Sequence, residues 1–449
     1  MKTFPLFAPL AAALVGAAAL FSESSAAEPV RLCLDVDRVV LPADSIERAV
    51  IKIGLDCLRL PRRESRPPVN LALVIDRSGS MGGDKIAKAR EAALSAVRSL
   101  GPDDIISIIA YDTEVETLVP AQRVGRARGM EAAICRIEAR GNTALHGGVA
   151  AGANELRKHI EDNRGVNRVI LLSDGLANVG PSSPDELGRL GYSLMKEGIS
   201  VSTIGLGLGY NEDLMARLAL RSDGNTYFVE NSADLSRIFA IELGDVLNVI
   251  ARRVVIEIEF PEGVRPMHFV GRDGVIRGQR AEITLSQLYG GQEKFALVEV
   301  EVSPAKSGSE CELARASVRY EDAANGRTTT LTAQRKVQFS SDRKVVISSA
   351  DHRVQADYAA NVLAVAKDQA IELVDKGRKD EASALIMKRT AELKTIGDVY
   401  SNTSVLTVAA AAAPEAERIK REGLDNAQRK SYRAESQQVR AQQSSTSGR

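Results

Sequence analysis

Residues 71–80 read LALVIDRSGS, an unbroken apolar run followed by a loop with one carboxylate and two hydroxyls. Short unbroken apolar runs are typical of strands that helices cover on both faces. A helical pattern follows from Asp84 to Leu100. Asp76, Ser78 and Ser80 are therefore predicted at alternate positions of a strand-to-helix loop, where their oxygens suit a small divalent cation.

The alternation of apolar strands and helices continues on both sides of this stretch, over residues 69–250. Strands that alternate with helices predict parallel pairing, so we expect an α/β fold with a doubly wound, mostly parallel sheet. The predicted strands are Val69–Ile75, Ile105–Tyr111, Val115–Val119, Val169–Ser173, Ile199–Gly205 and Thr226–Val229. The predicted helices are Asp84–Leu100, Gly129–Glu138, Leu145–Ile160, Ser183–Lys196, Asn211–Leu220 and Ala233–Ile250.

The flanks of this unit show other patterns. Residues 28–68 and 251–345 alternate apolar and polar positions, which predicts a small antiparallel β-sandwich that flanks the α/β unit or receives it as an insertion. Within the first of these segments, the charged, proline-rich residues 62–68 are predicted to be a linker. Residues 350–400 have helical periodicity with a break at Gly377, which predicts a helical hairpin. Residues 401–449 are polar, and we expect disorder or a frayed helix there.

The N-terminus has the pattern of a secretory signal peptide, residues 1–27. Lys2 precedes an apolar segment, Leu6 to Phe21, and small residues at 25–27 favour cleavage after Ala27. The alternative, an uncleaved anchor, is disfavoured because the segment contains Pro9 and is short for a span of roughly 20 residues. We therefore expect an exported protein, periplasmic or extracellular and associated with the cell envelope.

The charge balance argues against nucleic acid as a partner. Lys and Arg together number 59, as do Asp and Glu, so the chain lacks the basic excess of a nucleic-acid-binding protein. Aromatic residues make up 4% of the chain, and Trp is absent, which also disfavours stacking on single strands.

Four cysteines, Cys33, Cys57, Cys135 and Cys311, allow three full pairings. In an exported chain a pair is expected to be oxidised. Cys33–Cys57 is the first choice because both lie in the N-terminal segment. The strand alternation places them on opposite faces, so the pairing needs a bulge, or one of them bridges to Cys311 instead.

Two further loops of the α/β unit carry oxygen ligands. Thr143 lies in the segment Gly141-Asn142-Thr143, just before a predicted helix, and Asp174 follows the apolar strand that ends at Ser173. Loops at the carboxyl ends of the strands meet where the winding of such a sheet reverses. Two carboxylates and three hydroxyls could then shape an octahedral site for Mg²⁺.

With these three loops the chain resembles the von Willebrand factor A-type domain that carries a metal-ion-dependent adhesion site. The resemblance covers about residues 70–248 and matches all five ligand positions: Asp76, Ser78, Ser80, Thr143 and Asp174. Segments such as 202–207 and 210–213 are similar to the secreted bacterial branch of the family. The flanking regions are more loosely similar to inter-alpha-trypsin inhibitor heavy chains.

The resemblance implies a metal-dependent protein-binding module. Mg²⁺, or alternatively Mn²⁺ or Ca²⁺, would contact Ser78 and Ser80 directly and Asp76 mainly through water. Thr143 and Asp174 would exchange direct for water-mediated contact as a ligand arrives. An Asp or Glu carboxylate of a partner protein would fill the open position on the ion.

An enzyme is not expected, because the serines lack both a Gly-x-Ser-x-Gly context and an evident general base. The main hypothesis is adhesion or scaffolding. The alternatives are an accessory subunit of an envelope enzyme or transport complex, and a purely structural envelope protein with a vestigial metal.

Overall fold

The computed structural model describes residues 28–59, 66–126, 129–160 and 165–445. The predicted signal peptide, residues 1–27, lies outside the described residues, as does most of the predicted linker. In chain order the strands are β1 (Val30–Val36), β2 (Val40–Pro42), β3 (Glu47–Cys57), β4 (Asn70–Asp76), β5 (Ile105–Tyr111), β6 (Val115–Arg123), β7 (Asn167–Ser173), β8 (Ile199–Leu206), β9 (Thr226–Val229), β10 (Val249–Glu259), β11 (Val264–Val270), β12 (Val275–Arg277), β13 (Arg280–Tyr289), β14 (Gln292–Val302), β15 (Glu310–Asp322), β16 (Thr328–Ser340) and β17 (Gln443–Ser445). The helices are α1 (Asp84–Ser99), α2 (Met130–Cys135), α3 (Leu145–Arg157), α4 (Pro184–Lys196), α5 (Glu212–Arg221), α6 (Leu235–Val246), α7 (Arg343–Ser348), α8 (His352–Asp375), α9 (Lys379–Tyr400), α10 (Thr403–Glu422) and α11 (Asn426–Arg440).

The α/β unit is built on one sheet of strand order β6-β5-β4-β7-β8-β9. All pairs are parallel except β5 with β6, which form an antiparallel pair. Every residue of β4, β5, β7 and β8 is buried, because helices cover both faces. Leu73 packs in a cluster with α1 and α6, whereas its neighbour Val74 packs with α3, α4 and α5. The predicted doubly wound, mostly parallel sheet is confirmed.

Side-chain caps begin two helices at the predicted places. The Ser183 hydroxyl accepts a hydrogen bond from the Glu186 backbone N–H, and the Glu186 carboxylate accepts one from the Ser183 backbone N–H, which forms a capping box. The Asn211 side chain accepts from the Leu214 backbone N–H at 3.1 Å. These caps satisfy first-turn donors that the helix itself leaves free.

The helix predicted for residues 233–250 is too long. The structure ends α6 at Val246, and β10 begins at Val249. Val249 pairs with Tyr289 on β13, and the Asn248 side chain donates to the Gly290 carbonyl at 2.6 Å. The apolar residues there fit either a buried helix or a strand, so only the long-range pairing decides between them.

The strands on the two flanks of the α/β unit form one β-sandwich. One sheet has the order β1-β3-β14-β11, and the other β12-β13-β10-β15-β16-β2. Since β3 pairs with β14 along Glu47–Asp56, the α/β unit is an insertion between two halves of the sandwich. One pair departs from the expected antiparallel arrangement, because β2 runs parallel to β16.

The expected Cys33–Cys57 disulfide is wrong. All four cysteines are free. In the β1–β3 register Cys33 lies opposite Gly54, and Cys57 lies opposite Val30. This offset of three positions separates the thiols by about 10 Å along the strands, beyond the reach of a disulfide. The alternative bridge to Cys311 is not formed either, since Cys311 is also a free cysteine.

The helical hairpin expected at residues 350–400 is present as α8 and α9, with Gly377 at φ +74° between them. Disorder, the first alternative predicted for residues 401–449, is wrong for residues 401–445, which contain α10, α11 and β17. Residues 446–449 lie outside the described residues. The polar residues of α11 are ordered because buried carboxylates pair with them, as in the 2.7 Å contact between Arg433 and Asp368. No helix in the described part of the chain is long and apolar enough to cross a membrane.

Candidate metal centre

Asp76 is the last residue of β4, and its side chain is buried. One of its carboxylate oxygens accepts a hydrogen bond from the Ser78 backbone N–H at 2.7 Å, and the other accepts from the Ser173 hydroxyl at 2.6 Å. Burial raises the pKa of Asp76 to about 6, although these hydrogen bonds oppose the rise. The carboxylate is therefore held in one orientation at the carboxyl edge of the sheet.

The loop after β4 reaches the loop after β7 through its hydroxyls. The Ser78 and Ser80 hydroxyl oxygens are 3.1 Å apart. The Ser80 hydroxyl donates to one oxygen of Asp174 at 2.7 Å. Because β4 and β7 are parallel neighbours, both loops leave the same edge of the sheet. Four of the five predicted ligands therefore form one connected group.

Gly175 shows where the fifth predicted ligand lies. A Cβ atom added there would be 3.1 Å from the Thr143 hydroxyl oxygen, 3.3 Å from that of Ser80 and 3.6 Å from that of Ser78. Three hydroxyl oxygens from two loops thus surround one point beside Asp174. The structure brings all five residues together, and the space at Gly175 is one that a side chain would fill.

Backbone hydrogen bonds tie the Thr143 loop to the other two loops. The Gly79 N–H donates to the Gly141 carbonyl at 3.0 Å. On the other side, the Thr143 N–H donates to the side-chain oxygen of Asn178 at 2.8 Å, and the Asn178 N–H donates back to the Thr143 carbonyl at 3.2 Å. These hydrogen bonds within the protein hold the oxygens in place, which lowers the cost of binding a ligand.

Arg77 anchors the loop after β4 through contacts on the side away from the candidate ligands. Its buried guanidinium donates to Asp112 at 2.7 Å and to Glu116 at 2.8 Å. The Arg77 carbonyl also accepts from the Arg140 N–H at 2.7 Å. The side chain between Asp76 and Ser78 thus turns away from the site, which leaves the alternate positions to face it.

Lys85, on the first turn of α1, was not predicted at the site. Its ammonium contacts the second oxygen of Asp174 and lies 3.4 Å from the Ser80 carbonyl. Ser173, which donates to Asp76, was also missed, as was Asn178. Lys85 lies nine residues after Asp76, in the first turn of the helix that follows the loop. This position is the one feature of the sequence that could have indicated that Lys85 lies near the site.

The residues present fit a hard divalent cation. The candidate ligands are all oxygens, two carboxylates and three hydroxyls, which suit Mg²⁺. Among the described residues there is no cluster of three or more His, Cys, Asp and Glu side chains that could hold a metal. A zinc-type site, which needs such ligands, is therefore not formed by this part of the chain.

Comparison with known proteins places this domain in a family. Residues 70–241 match the model of the von Willebrand factor type A domain. A Synechocystis protein named uncharacterized protein sll0103 is 28% identical over 346 residues, which cover 73% of this chain and 79% of that protein. The rat inter-alpha-trypsin inhibitor heavy chain H3 is 30% identical over 203 residues, 43% of this chain but 22% of that protein.

Two solved structures share the fold beyond the domain. A von Willebrand factor type A protein from Catenulispora acidiphila superposes with a TM-score of 0.63 at 18% identity, over 82% of this chain and 89% of that one. The ArnB paralog VWA2 from Sulfolobus acidocaldarius has a TM-score of 0.59 at 16% identity, over 92% and 98%. Residues 70–241 of this chain are a von Willebrand factor type A domain.

Proposed function

We propose that this chain is an exported protein-binding module, for adhesion or scaffolding, whose von Willebrand factor type A domain binds a partner through a divalent metal ion. The ion would be held by Asp76, Ser78, Ser80, Thr143 and Asp174 and would bridge to an Asp or Glu carboxylate of the partner. The convergence of three hydroxyls on one point beside Asp174 carries this proposal. Domains of this type are typically protein-interaction modules, which supports the general role.

The hydrogen bonds of the site support different roles for its two carboxylates. Both oxygens of Asp76 already accept hydrogen bonds from the protein, so water-mediated contact with an ion suits it best. Asp174 receives the Ser80 hydroxyl and the Lys85 ammonium, both from flexible side-chain ends that can move aside. A hydroxyl-rich shell around Mg²⁺ leaves the ion electrophilic and favours an outside anion.

Local charge supports an anionic partner. Asp76, Asp174 and Lys85 together carry one negative charge, and a divalent ion would convert it to one positive charge. A carboxylate would then be attracted to the site only when the metal is bound. The site also lacks a paired nucleophile and general base among the residues named here, so we propose ligand capture rather than catalysis.

The proposal also covers the location of the protein, its division into domains and the identity of the ion. We propose export to the periplasm or the extracellular space, from the signal pattern of residues 1–27. We propose the division into a sandwich from residues 28–68 and 251–345, the metal-binding domain at 69–250, and C-terminal helices. Mg²⁺ is the proposed ion, with Mn²⁺ and Ca²⁺ as the ions to compare.

The experiment is a Mg²⁺ titration by calorimetry, followed by partner capture in Mg²⁺ and in EDTA. The variant is Asp76→Ala/Ser78→Ala, which should lose Mg²⁺ binding and capture together. The control is Asp103→Ala/Ser95→Ala, which removes the same two residue types from exposed positions at the other end of the sheet and should behave as wild type. Full partner capture by the first variant in EDTA would disprove the proposal.

A further inference from the structure

Two exposed leucines flank the candidate metal centre. Leu176 is 59% exposed and Leu208 is 47% exposed. Single exposed apolar side chains are common and need no explanation, but both of these lie near the same residue, Asp174. Leu176 is two positions after it in the chain, and the glycine that follows Leu208 packs against its backbone carbonyl. The contacts of the residues next to each leucine show whether its position is fixed.

Leu208 is held against the site by the glycines on either side of it. A Cβ at Gly209 would be 2.8 Å from the Asp174 carbonyl oxygen, so the backbone at Gly209 packs directly against the loop that follows β7. Gly207 has φ +71°, and a Cβ there would be 3.8 Å from the Lys85 ammonium. The backbone thus passes close to Lys85 just before Leu208 and close to Asp174 just after it, and the Leu208 side chain is exposed.

Leu176 is held by the contacts of residues close to it in the chain. Gly175, before it, packs against the hydroxyls of Thr143 and Ser80. Asn178, after it, exchanges two hydrogen bonds with the Thr143 backbone. Because both ends of this segment are fixed, the exposed side chain has a defined place beside the site.

This arrangement deepens the proposed function and rests on it. We propose that Leu176 and Leu208 form an apolar rim around the bound ion, and that the partner presents an acidic residue with large apolar residues next to it. With a divalent ion bound, the centre of this surface would carry one positive charge, and the two exposed leucines would lie near it. A partner carboxylate on the ion would bring its neighbouring side chains onto the two leucines and remove them from water.

The test uses two short peptides as probes, acetyl-Leu-Asp-Leu-amide and acetyl-Gly-Asp-Gly-amide, titrated into the Mg²⁺-loaded full chain and followed by NMR. Burying about 55 Å² of apolar surface corresponds to about a tenfold gain in affinity, so the leucine peptide should bind about tenfold more tightly. EDTA should abolish the binding of both peptides.

The variant Leu176→Ser/Leu208→Ser should bring the affinity ratio of the two peptides close to one while its Mg²⁺ affinity stays at the wild-type value. The control Ile241→Ser/Val275→Ser, which changes two apolar residues of similar exposure elsewhere, should keep the tenfold ratio. Equal binding of both peptides by the wild type, or no binding of either, would overturn the rim. A wild type that does not bind Mg²⁺ would overturn the proposed function and the rim with it.

Discussion

At the scale of single residues, the candidate centre depends on side chains that are small or that point away. Arg77 turns under the loop, and Gly175 leaves open the point on which three hydroxyls converge. Lys85 contributes a positive charge directly on Asp174, where it competes with any bound cation. If the site binds metal as proposed, its affinity would depend on space and charge as much as on the number of oxygens.

Gly175→Ala should weaken Mg²⁺ binding by at least tenfold in a calorimetric titration. The new methyl group would lie 3.1 Å from the Thr143 hydroxyl oxygen and would occupy the space between the candidate ligands. The φ angle of Gly175 is not in the left-handed region, so the backbone accepts alanine and the protein should remain folded.

The matched control is Gly244→Ala in α6, where an added Cβ meets no atom within 4 Å. It should leave Mg²⁺ binding unchanged, and alanine in a helix should stabilise the protein by about 0.5–1 kcal/mol. Unchanged Mg²⁺ affinity in Gly175→Ala would show that the ion binds elsewhere.

At the scale of elements, α11 is ordered by ion pairs rather than by an apolar stripe. Arg433 contacts Asp213 at 2.5 Å at the start of α5, as well as Asp368 on α8. Lys430 donates to the Tyr210 carbonyl at 2.6 Å, and burial lowers its pKa to about 8. The helix therefore ties the C-terminal helices to the von Willebrand factor type A domain.

Arg433→Ala should lower the free energy of unfolding in urea by about 2 kcal/mol. The Arg433 side chain is 9% exposed, and removing one partner of a buried pair costs up to about 3–5 kcal/mol. The smaller value is expected here because Arg440 and Gln437 still contact Asp368 in the variant.

For comparison, Arg237→Ala removes an exposed arginine that pairs with Asp234, and its effect should stay within about 0.5 kcal/mol. Equal stability of the two variants would show that the contacts of α11 do not stabilise the fold.

At the scale of the whole molecule, polar contacts join the α/β unit to the sandwich. Arg168 on β7 is fully buried, lies 3.2 Å from Glu242 and donates to Gln287 on β13 at 2.9 Å. Gln292 on β14 donates to Asp245 on α6 at 2.8 Å. The insertion is therefore fixed to the sandwich by side chains, in addition to its two chain connections.

Asp245→Asn should stabilise the protein by about 1 kcal/mol at pH 8, and this gain should shrink toward pH 4. Burial, and then repulsion from Glu242, raise the pKa of Asp245 to about 6, above its unfolded value of about 3.9. The folded state therefore holds the proton more tightly, so the charged carboxylate lowers stability as pH rises from about 4 to 6.

Urea unfolding at several pH values measures this difference. The control Asp398→Asn changes an exposed aspartate on α9 and should show no gain at either pH. A stabilisation by Asp245→Asn of equal size at pH 4 and pH 8 would contradict the titration of Asp245 as its cause.

Local patterns in the sequence were sufficient to predict the sheet and to indicate five candidate ligands that lie together at its edge. The apolar runs of residues 71–75 and 169–172 indicate buried strands, because a strand covered on both faces must be apolar at every position. The order of the strands then brings the loops of Ser80, Thr143 and Asp174 to one edge. Their positions between strand and helix signals are therefore enough to indicate these residues as candidate ligands.

Only the tertiary structure decided the features that depend on register and on distant charges. The offset of Cys33 from Cys57 is set by which residues of the two strands pair with each other. A shift in register would leave the local sequence pattern unchanged. Lys85 on Asp174 and Arg433 between Asp213 and Asp368 likewise join charges that composition cannot match to one another. The periodicity of a segment indicates which of its faces is buried. These contacts depend instead on which elements are neighbours and on how they are aligned along their length.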